Sequence, residues 1–237
     1  MLHIKNLTKI YKGGKVAVNN ISLDVEKGDI FGFIGHNGAG KTTTLKCVAG
    51  IIDFEEGDIT VCGKSVKVDP VGVKADIAYI PDNPDIYEYL TGIQYLNFIA
   101  DVFGIAKEER VDIIDKYATL FEIKDVLGNL ISSYSHGMKQ KLVLISAFVH
   151  KPKLMILDEP FVGLDPKAAH DVKMIMQEFV DAGGAIFFST HVLDTAEKIC
   201  NKIAVIRGGD IVLLGKTDEL TQNKSLENVF LETVDNV

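Results

Sequence analysis

The sequence predicts an α/β fold with a strand-rich start, a helical insertion and a return to alternating strands and helices. Short alternating apolar segments with Gly and Asp turns fill most of residues 1–84. Helical spacing dominates 85–150, and strands alternate with helices again over 151–215. We therefore expect an α/β core with an antiparallel β subdomain near the N-terminus, an inserted helical subdomain and a tail at 216–237.

The first part contains predicted strands rich in β-branched residues and bounded by turn residues. These segments are LHIKNLTKIY, AVNNISLDVEKGD, GDITVCGKSVKV and IAYIP at 77–81. Before the third of them lies DIFGFIGHNGAGKTTTLKCVAG, in which a short apolar run leads through a glycine-rich loop into a helix that ends near Gly50. A strand, a loop and a helix therefore follow one another directly.

In the helical insertion, one predicted helix begins at a capping residue, Thr91, and the last begins at Ser135 in SHGMKQKLVLISAFVH. The strands KLMILD and AIFFST then alternate with helical segments, and KIAVIRGGDIVLLGK predicts a hairpin around Gly208 and Gly209. Apolar residues at helical spacing in the tail predict a helix that packs on its own domain, with no chemistry assigned to it: Leu226, Val229, Phe230 and Val234.

Composition and charge narrow the class of protein. The chain has 237 residues, 47% of them hydrophobic, and its 25 basic and 33 acidic residues give a formal net charge of -8. This balance disfavours a protein that coats nucleic acid, so no nucleic-acid partner is expected. The apolar run at 142–149 is too short to cross a bilayer, and the start resembles no signal peptide. With three scattered cysteines that lack metal spacing, we expect a cytoplasmic protein with reduced thiols.

The segment GHNGAGKT, Gly35–Thr42, fits the phosphate-loop pattern G-x-x-x-x-G-K-S/T between a strand and a helix. Its glycines allow backbone N–H groups to surround phosphates, and the helix N-terminus favours the negative charge. Lys41 would reach the β- and γ-phosphates and Thr42 would ligate Mg²⁺; the alternative is an ordinary glycine-rich turn. The candidate nucleotide-binding residues here are Gly35, His36, Asn37, Gly38, Ala39, Gly40, Lys41, Thr42 and Thr43.

Two carboxylates follow the buried-strand pattern KLMIL. Asp158 can hold Mg²⁺ through water, and Glu159 would then point to the γ-phosphate, where a general base for water would lie. Asp-Glu after a strand is usually a solvated turn. The phosphate loop favours the functional interpretation, because Mg²⁺ needs a second, acidic anchor.

These motifs together resemble those of ABC-transporter ATP-binding subunits. The phosphate loop, the Ser-x-Gly start of a helix, LMILDEP, GLDP and a strand ending in STH have that family's order and spacing over essentially the whole chain. The resemblance implies a P-loop NTPase core with a RecA-like mixed sheet and a single ABC ATP-binding domain at 1–237. It also implies that ATP and Mg²⁺ bind and that Lys41, Glu159 and His191 carry hydrolysis.

The resemblance further implies that ATP is sandwiched between two copies of the subunit or between this chain and a paralogue. YSHGM occupies the position of the family signature, so Ser135 and Gly137 would bind the ATP held by the opposite subunit; without the family, Ser135 is simply a helix cap. His136 stands where the family commonly has Gly. The loop GLDP, with Asp165, would cross the dimer interface, although it would form an equally good helix start.

Single positions also match the family. Tyr11 corresponds to the aromatic residue that stacks on adenine, with an ordinary strand aromatic as the alternative. His191 corresponds to the switch histidine, which contacts the γ-phosphate and orients Glu159. Asp82 stands where the family usually has Gln near Mg²⁺, and we expect it to be a metal-site residue, since a carboxylate can also ligate Mg²⁺.

The resemblance also implies a partner, a membrane-spanning permease that docks near residues 82–103. Two apolar stripes are expected on the helix there, one for the domain and one for the partner, with burial of both as the alternative. Their members are Ile93, Leu96, Ala100 and Phe103, and Tyr95, Phe98 and Val102. An acidic residue at this position, here Asp82, is a point of resemblance to the exporter branch of the family, whose members move drugs, peptides or lipids.

The functional prediction is an ATPase subunit, peripheral on the inner face of the cell membrane, that powers a separate exporter. The alternatives are a soluble ABC-type ATPase that is not coupled to transport and a regulator that binds nucleotide without turnover. Glu159 and His191 speak against the regulator.

Overall fold

The computed structural model describes residues 1–83, 86–222 and 224–235. Outside this description lie two residues of the predicted docking segment, Pro84 and Asp85, and three of the tail, Asn223 and residues 236–237. The side chain of Val234 also lies outside it. The strands are β1 (Leu2–Tyr11), β2 (Lys15–Val25), β3 (Ile30–Ile34), β4 (Glu56–Val61), β5 (Lys64–Ser65), β6 (Ile77–Ile80), β7 (Leu154–Asp158), β8 (Ala185–Thr190), β9 (Lys202–Arg207) and β10 (Asp210–Lys216).

The helices lie between these strands and after them. They are α1 (Lys41–Val48), α2 (Pro70–Asp76), α3 (Gly92–Val102), α4 (Lys107–Leu120), α5 (His136–Val149), α6 (Pro166–Asp181), α7 (Leu193–Ile199), α8 (Thr217–Leu220) and α9 (Leu226–Asp235), with short 3₁₀ turns at Lys124–Val126 and Ile131–Ser133. No helix in the described ranges combines the length and the apolar character that a membrane span requires.

A six-stranded sheet in the order β10-β9-β3-β8-β7-β6 forms the centre. Its strands pair in parallel except for β10, which is antiparallel to β9 in the predicted hairpin. Every residue of β3, β7 and β8 is buried, because packed elements cover both faces of the sheet. Parallel strands end at one edge, so the segments that follow β3, β7 and β8 meet there.

A four-stranded antiparallel sheet, β2-β1-β4-β5, packs on one face of the central sheet together with α1. Helices α3, α4, α5 and α6 pack on the other face. Alternate residues of β3 divide between the two cores, Phe31 and Phe33 toward the antiparallel sheet and Ile30 and Ile34 toward the helices. The predicted fold is confirmed; the residue boundaries given for its parts stay predictions.

The structure corrects one expectation for α3. Tyr95 was predicted to share a partner-facing stripe with Phe98 and Val102, but it is only 8% exposed and lies in the core. Helix α5 packs against α3 and covers a wider arc than one stripe, so Tyr95 is buried beside Leu96. Phe98 is 43% exposed and keeps the orientation that was predicted.

The sequence analysis missed α2 because its seven residues show no clear apolar period. The signals that could have found it are at its start. Asp69 caps the helix by accepting a hydrogen bond from the backbone N–H of Gly72 at 2.9 Å, and Pro70 occupies the first helical position.

Candidate nucleotide site

The phosphate loop connects β3 to α1, and its backbone requires glycine at two positions. A Cβ at Gly35 would lie 2.4 Å from the carbonyl oxygen of Ile206, and one at Gly40 would lie 2.5 Å from that of Ala17. Gly40 also has a φ of 116°, in the left-handed region that side chains disfavour. Gly40 is the N-cap of α1 and no side chain caps this helix, so its first N–H groups suit an anion.

The ammonium group of Lys41 lies buried at the centre of the loop. It donates to the carbonyl oxygens of Gly35 at 2.6 Å and His36 at 3.3 Å. It also lies 3.5 Å from Oε1 of Glu159. The loop lysine and the second carboxylate after β7 are therefore neighbours in the fold, although they lie far apart in the sequence.

Asp158, the last residue of β7, is fully buried and only partly satisfied. The hydroxyl of Ser189 donates to its Oδ1 at 2.5 Å, whereas its Oδ2 has no hydrogen-bond partner among the described residues. An unpaired buried carboxylate oxygen is costly unless a cation or its water occupies that side. Asp158 therefore fits one ligand position of a Mg²⁺ site.

A Mg²⁺ site at this position would have few protein ligands. The described residues contain no cluster of three or more His, Cys, Asp or Glu side chains suited to a metal ion. Mg²⁺ commonly binds through one or two protein groups together with phosphate oxygens and water. The half-buried Thr42 on the loop and Asp158 on β7 match that kind of donor set.

Glu159 is held in an unusual backbone conformation, with a φ of 50°. Its N–H donates to the carbonyl oxygen of Ser189 at 3.2 Å and to the Ser189 hydroxyl at 3.1 Å. A non-glycine residue in the left-handed region stores strain, which these hydrogen bonds offset. The result is a fixed carboxylate at the edge where the parallel strands end.

His191 follows β8 and lies beside Glu159, the other residue after a strand for which a catalytic role was predicted. Its Nδ1 lies 3.0 Å from Oε1 of Glu159, and about half of its side chain is exposed. The structure thus brings Lys41, Glu159 and His191 into direct contact around one carboxylate oxygen. Such a group can bind a phosphoryl oxygen, accept a proton from water and orient the acceptor.

A cleft of about 220 Å³ is lined by Lys41, Thr42 and Glu159, whereas Asp158 and His191 are not among the described residues that line it. Tyr11 lies on its wall, half exposed, with its hydroxyl 3.2 Å from Oγ1 of Thr43. The exposed Asp82 also lines the cleft, and its Oδ1 accepts a hydrogen bond from the N–H of Asn83 at 2.8 Å. The cleft is lined by Tyr11, Lys15, Ala17, His36, Asn37, Gly38, Gly40, Lys41, Thr42, Thr43, Asp82 and Glu159.

Sequence reasoning missed Lys15, Ser189 and Tyr79. Lys15 lines the cleft at the start of β2. The Ser189 hydroxyl donates to the carboxylate of Asp158 and accepts from the backbone N–H of Glu159. The phenol of Tyr79 is buried without a hydrogen-bond partner in the described structure. Burial, with smaller effects from Asp158 and Asp82, raises the pKa of Tyr79, so this phenol stays neutral. The only sequence signal was the position of Ser189 two residues before His191.

The signature segment lies outside the cleft. Ser135 caps α5 by accepting a hydrogen bond from the N–H of Met138 at 3.2 Å, as predicted. Neither Ser135 nor Gly137 is among the described residues that line the cleft. The exposed His136 contacts the GLDP loop of its own chain, since a Cβ at Gly163 would lie 2.5 Å from its Cδ2.

An exposed aromatic cluster, Tyr87, Tyr89 and Phe98, lies on α3 and the segment before it. The ring of Tyr87 lies 5.8 Å from that of Tyr89 and 5.7 Å from that of Phe98, between centroids. All three side chains are more than two-fifths exposed. A neighbouring apolar cavity of about 280 Å³ lies between β6, α3 and α5, with Pro81, Phe103 and His150 in its lining.

Known proteins resemble this chain along its whole length. The ABC transporter family model matches residues 18–162. The ABC-type transporter ATP-binding protein EcsA of Bacillus subtilis (strain 168) is 34% identical over 232 residues, which cover 98% of this chain and 94% of EcsA. A solved structure of an ATP-binding subunit of an ABC transporter has a TM-score of 0.94 at 31% identity and covers 99% of both chains.

A second solved structure has the same fold. This dimeric post-hydrolysis state of the ATP-binding cassette MJ0796, bound to ADP and Pi, has a TM-score of 0.84 at 20% identity and covers 92% of this chain and 99% of that one. The family match, the relatives and the phosphate-loop geometry agree. The chain therefore belongs to the ABC transporter family as an ATP-binding subunit, and it is an ATPase.

Proposed function

We propose that this subunit dimerises around two molecules of MgATP and uses their hydrolysis to drive a separate membrane-spanning exporter. The observation that carries the proposal is the contact of Glu159 with both Lys41 and His191, at a cleft lined by Lys41 and Glu159. Ser135 and Gly137 of the signature are not among the described residues that line this cleft. In this proposal the subunit is cytoplasmic and peripheral on the inner face of the cell membrane.

The proposed binding mode follows from the groups in the cleft. The ring of Tyr11 would stack on adenine, and the phosphate-loop N–H groups would bind the phosphates. Lys41 would exchange the carbonyl oxygens of Gly35 and His36 for phosphate oxygens. Thr42 and Asp158, with Asp82 as a further candidate, would hold Mg²⁺, which supplies charge neutralisation at the phosphoryl oxygens.

Hydrolysis in this site needs an oriented water and a proton acceptor. We assign the acceptor to Glu159, whose carboxylate takes a proton as the water oxygen bonds to the γ-phosphorus. The bond from that phosphorus to the β–γ bridging oxygen breaks, and the electron pair leaves with ADP. His191, 3.0 Å from the same carboxylate, keeps Glu159 oriented and contacts the γ-phosphoryl group.

Dimerisation is supported by the geometry of the signature. A helix N-terminus with a capping Ser135 and a Gly137 that allows close approach is suited to phosphate oxygens. These residues are not among the described residues that line the cleft of their own chain, so we assign the proposed contact to the cleft of a second copy or of a paralogue. The MJ0796 cassette, which shares the fold, is described as a dimer.

The aromatic cluster supports docking of a permease near residues 82–103. Exposed aromatic rings in mutual contact are typical of protein interfaces. The cluster follows the segment of Asp82, which lines the nucleotide cleft, so changes at the γ-phosphate could reach the docking surface. We base the exporter assignment on the acidic residue at position 82.

A mixing experiment tests the shared sites. Lys41→Ala removes the phosphate-binding lysine, and Ser135→Trp blocks the signature. If sites are shared, a mixture of the two inactive variants regains part of the wild-type ATPase rate. Each mixed dimer then has one intact site, formed by the phosphate loop of the Ser135→Trp chain and the signature of the Lys41→Ala chain. If each chain holds a complete site, mixing restores nothing and the shared-site proposal is wrong.

The control for this experiment is Ser132→Trp, a change of the same size at an exposed serine just before the signature. It should hydrolyse ATP at the wild-type rate. Loss of the Ser135 cap costs about 1 kcal/mol of stability, so thermal unfolding of all variants is measured alongside.

A further inference from the structure

The C-terminal helix α9 contacts the nucleotide loop, and this contact carries the inference. The rings of Phe230 on α9 and His36 on the phosphate loop lie 5.1 Å apart between centroids, at 70°. This is an edge-to-face aromatic pair. Phe230 is 6% exposed, while Leu231 beside it is 49% exposed, so α9 turns its aromatic residue inward to the loop.

His36 is a central residue of the loop in spite of its exposed position. Its carbonyl oxygen accepts from the ammonium of Lys41 at 3.3 Å and from the N–H of Ala39 at 3.2 Å. The imidazole extends from the same residue to Phe230. Holding the ring therefore restricts the backbone of the residue that lies against Lys41.

A second contact of α9 is with α7, the helix that follows His191. The N–H of Leu226 donates to Oε2 of Glu197 at 2.7 Å, and Glu197 lies on α7, which begins two residues after His191. Leu226 is fully buried and shares the helical core with Phe230. One short helix thus touches both the phosphate loop and the helix that follows His191.

We propose that α9 braces the nucleotide site and that Phe230 is a positioning residue that holds the phosphate loop in its ATP-binding conformation through His36. The proposal rests on the assignment of ATP to this loop. Phe230 does not itself touch the nucleotide in this view. Its loss should therefore weaken ATP binding more than it slows the chemical step.

The test uses the full-length protein and measures KM and kcat for MgATP together with the affinity for a fluorescent ATP analogue. Phe230→Leu keeps a buried apolar side chain and removes the ring, and we expect it to raise KM by about two- to tenfold, the range for one aromatic pair, with a smaller change in kcat. Phe230→Tyr keeps the ring and should stay near wild type. Leu231→Ala, on the exposed face of the same helix, is the matched control.

A double-mutant cycle separates positioning from simple stability. His36→Ala should raise KM as Phe230→Leu does, and the two changes together should have no more effect than either alone. If Phe230→Leu lowers the unfolding temperature but leaves KM and affinity unchanged, or if the two effects on KM multiply, the proposal is wrong.

Lys41→Ala separates this proposal from the proposed site. If Lys41→Ala binds the analogue as the wild type does, the assignment of ATP to the loop fails. If Lys41→Ala loses binding while Phe230→Leu and His36→Ala retain it in full, the loop assignment stands and the brace is rejected.

Discussion

The carboxylate of Glu159 is the residue on which the geometry of the site converges. It lies between the ammonium of Lys41, 3.5 Å away, and Nδ1 of His191, 3.0 Å away, on a backbone with positive φ. A strained residue persists only where its surroundings hold it, which here means the Ser189 hydrogen bonds to its N–H. These hydrogen bonds therefore hold the backbone from which the carboxylate extends.

Glu159→Gln tests the proposed base at this position. The amide keeps the size of the side chain but accepts no proton, so we expect hydrolysis to fall by at least about a hundredfold while ATP still binds. ATP should then hold the subunits together as a stable dimer, measured by gel filtration with and without MgATP. Wild-type turnover would remove Glu159 from the mechanism.

Ser189→Ala tests how the carboxylate of Asp158, the proposed Mg²⁺ ligand, is held. The change removes the donor to Oδ1 of Asp158 and leaves the Glu159 N–H with only the carbonyl acceptor. Loss of a buried hydrogen bond to a carboxylate costs about 1.5–3 kcal/mol. We therefore expect a rise in the Mg²⁺ concentration that gives half-maximal ATPase rate at saturating ATP.

The matched control for that titration is Ser133→Ala, since the Ser133 hydroxyl donates to the carbonyl oxygen of Leu130 on the exposed surface. An unchanged Mg²⁺ dependence in Ser189→Ala would show that Asp158 does not need this partner to hold the metal.

At the scale of elements, the start of α5 and the loop before α6 pack as one unit. His136 lies against Gly163, which has a φ of 79°, and Lys141 lies 3.7 Å from Asp165. A hydrogen bond from the N–H of Ala168, assisted by Lys141, lowers the pKa of Asp165, so this carboxylate stays charged. The signature and the GLDP loop would therefore reach a dimer interface together.

Gly163→Ala tests this unit. Alanine at positive φ should destabilise the chain by about 1 kcal/mol, and its methyl group would also contact the His136 ring. Gly183, beyond the other end of α6, has a φ of 93° with nothing within 4 Å of its Cβ position. Both variants should lose similar stability in denaturant unfolding, but only Gly163→Ala should weaken ATP-dependent dimerisation. Equal dimerisation in the two variants would contradict the coupling.

His150 at the end of α5 joins the helical part to the edge strand of the central sheet. Its Nε2 lies 2.8 Å from the carbonyl oxygen of Ile77, and its ring stacks on Phe103 with centroids 3.9 Å apart. Burial lowers the pKa of His150, an effect that outweighs the hydrogen bond to Ile77.

This pKa shift has a defined sign. The pKa of His150 in the folded chain lies below the ordinary value near 6.5. As pH falls through that range, His150 therefore binds a proton in the unfolded chain while it stays neutral in the folded chain, which favours unfolding. Stability should therefore be lower at about pH 5.5 than at about pH 7.5. The variant His150→Gln retains a donor for the carbonyl oxygen of Ile77, and its unfolding free energy in urea should depend less on pH than that of the wild type. If the pH dependence is the same in both proteins, groups other than His150 cause it.

At the scale of the whole molecule, the sequence predicted the features that are formed by residues adjacent in the chain. The phosphate loop, the carboxylates after β7 and the cap at Ser135 each consist of adjacent residues whose types limit their structure. Contacts between distant segments were not predictable in this way, such as Ser189 with Asp158, which is 31 positions away, or Phe230 with His36. Tyr95 was misassigned for the same reason, because only the packing of α5 decides how much of α3 is buried.

The proposed docking surface belongs to the scale of the whole molecule, because the partner in that proposal would lie outside the chain. Phe98→Ser removes one ring of the exposed aromatic cluster and should reduce recovery of the subunit with membranes, while ATPase activity in solution stays near wild type. Tyr95→Ser, one turn earlier but in the core, should instead destabilise the fold by about 3 kcal/mol and lower both readouts.

Leu214→Ser, at an apolar residue that is 49% exposed on β10, controls for lost surface hydrophobicity. If Phe98→Ser and Leu214→Ser bind membranes equally well, the cluster is not the dock; if Phe98→Ser loses ATPase activity as Tyr95→Ser does, its ring belongs to the core.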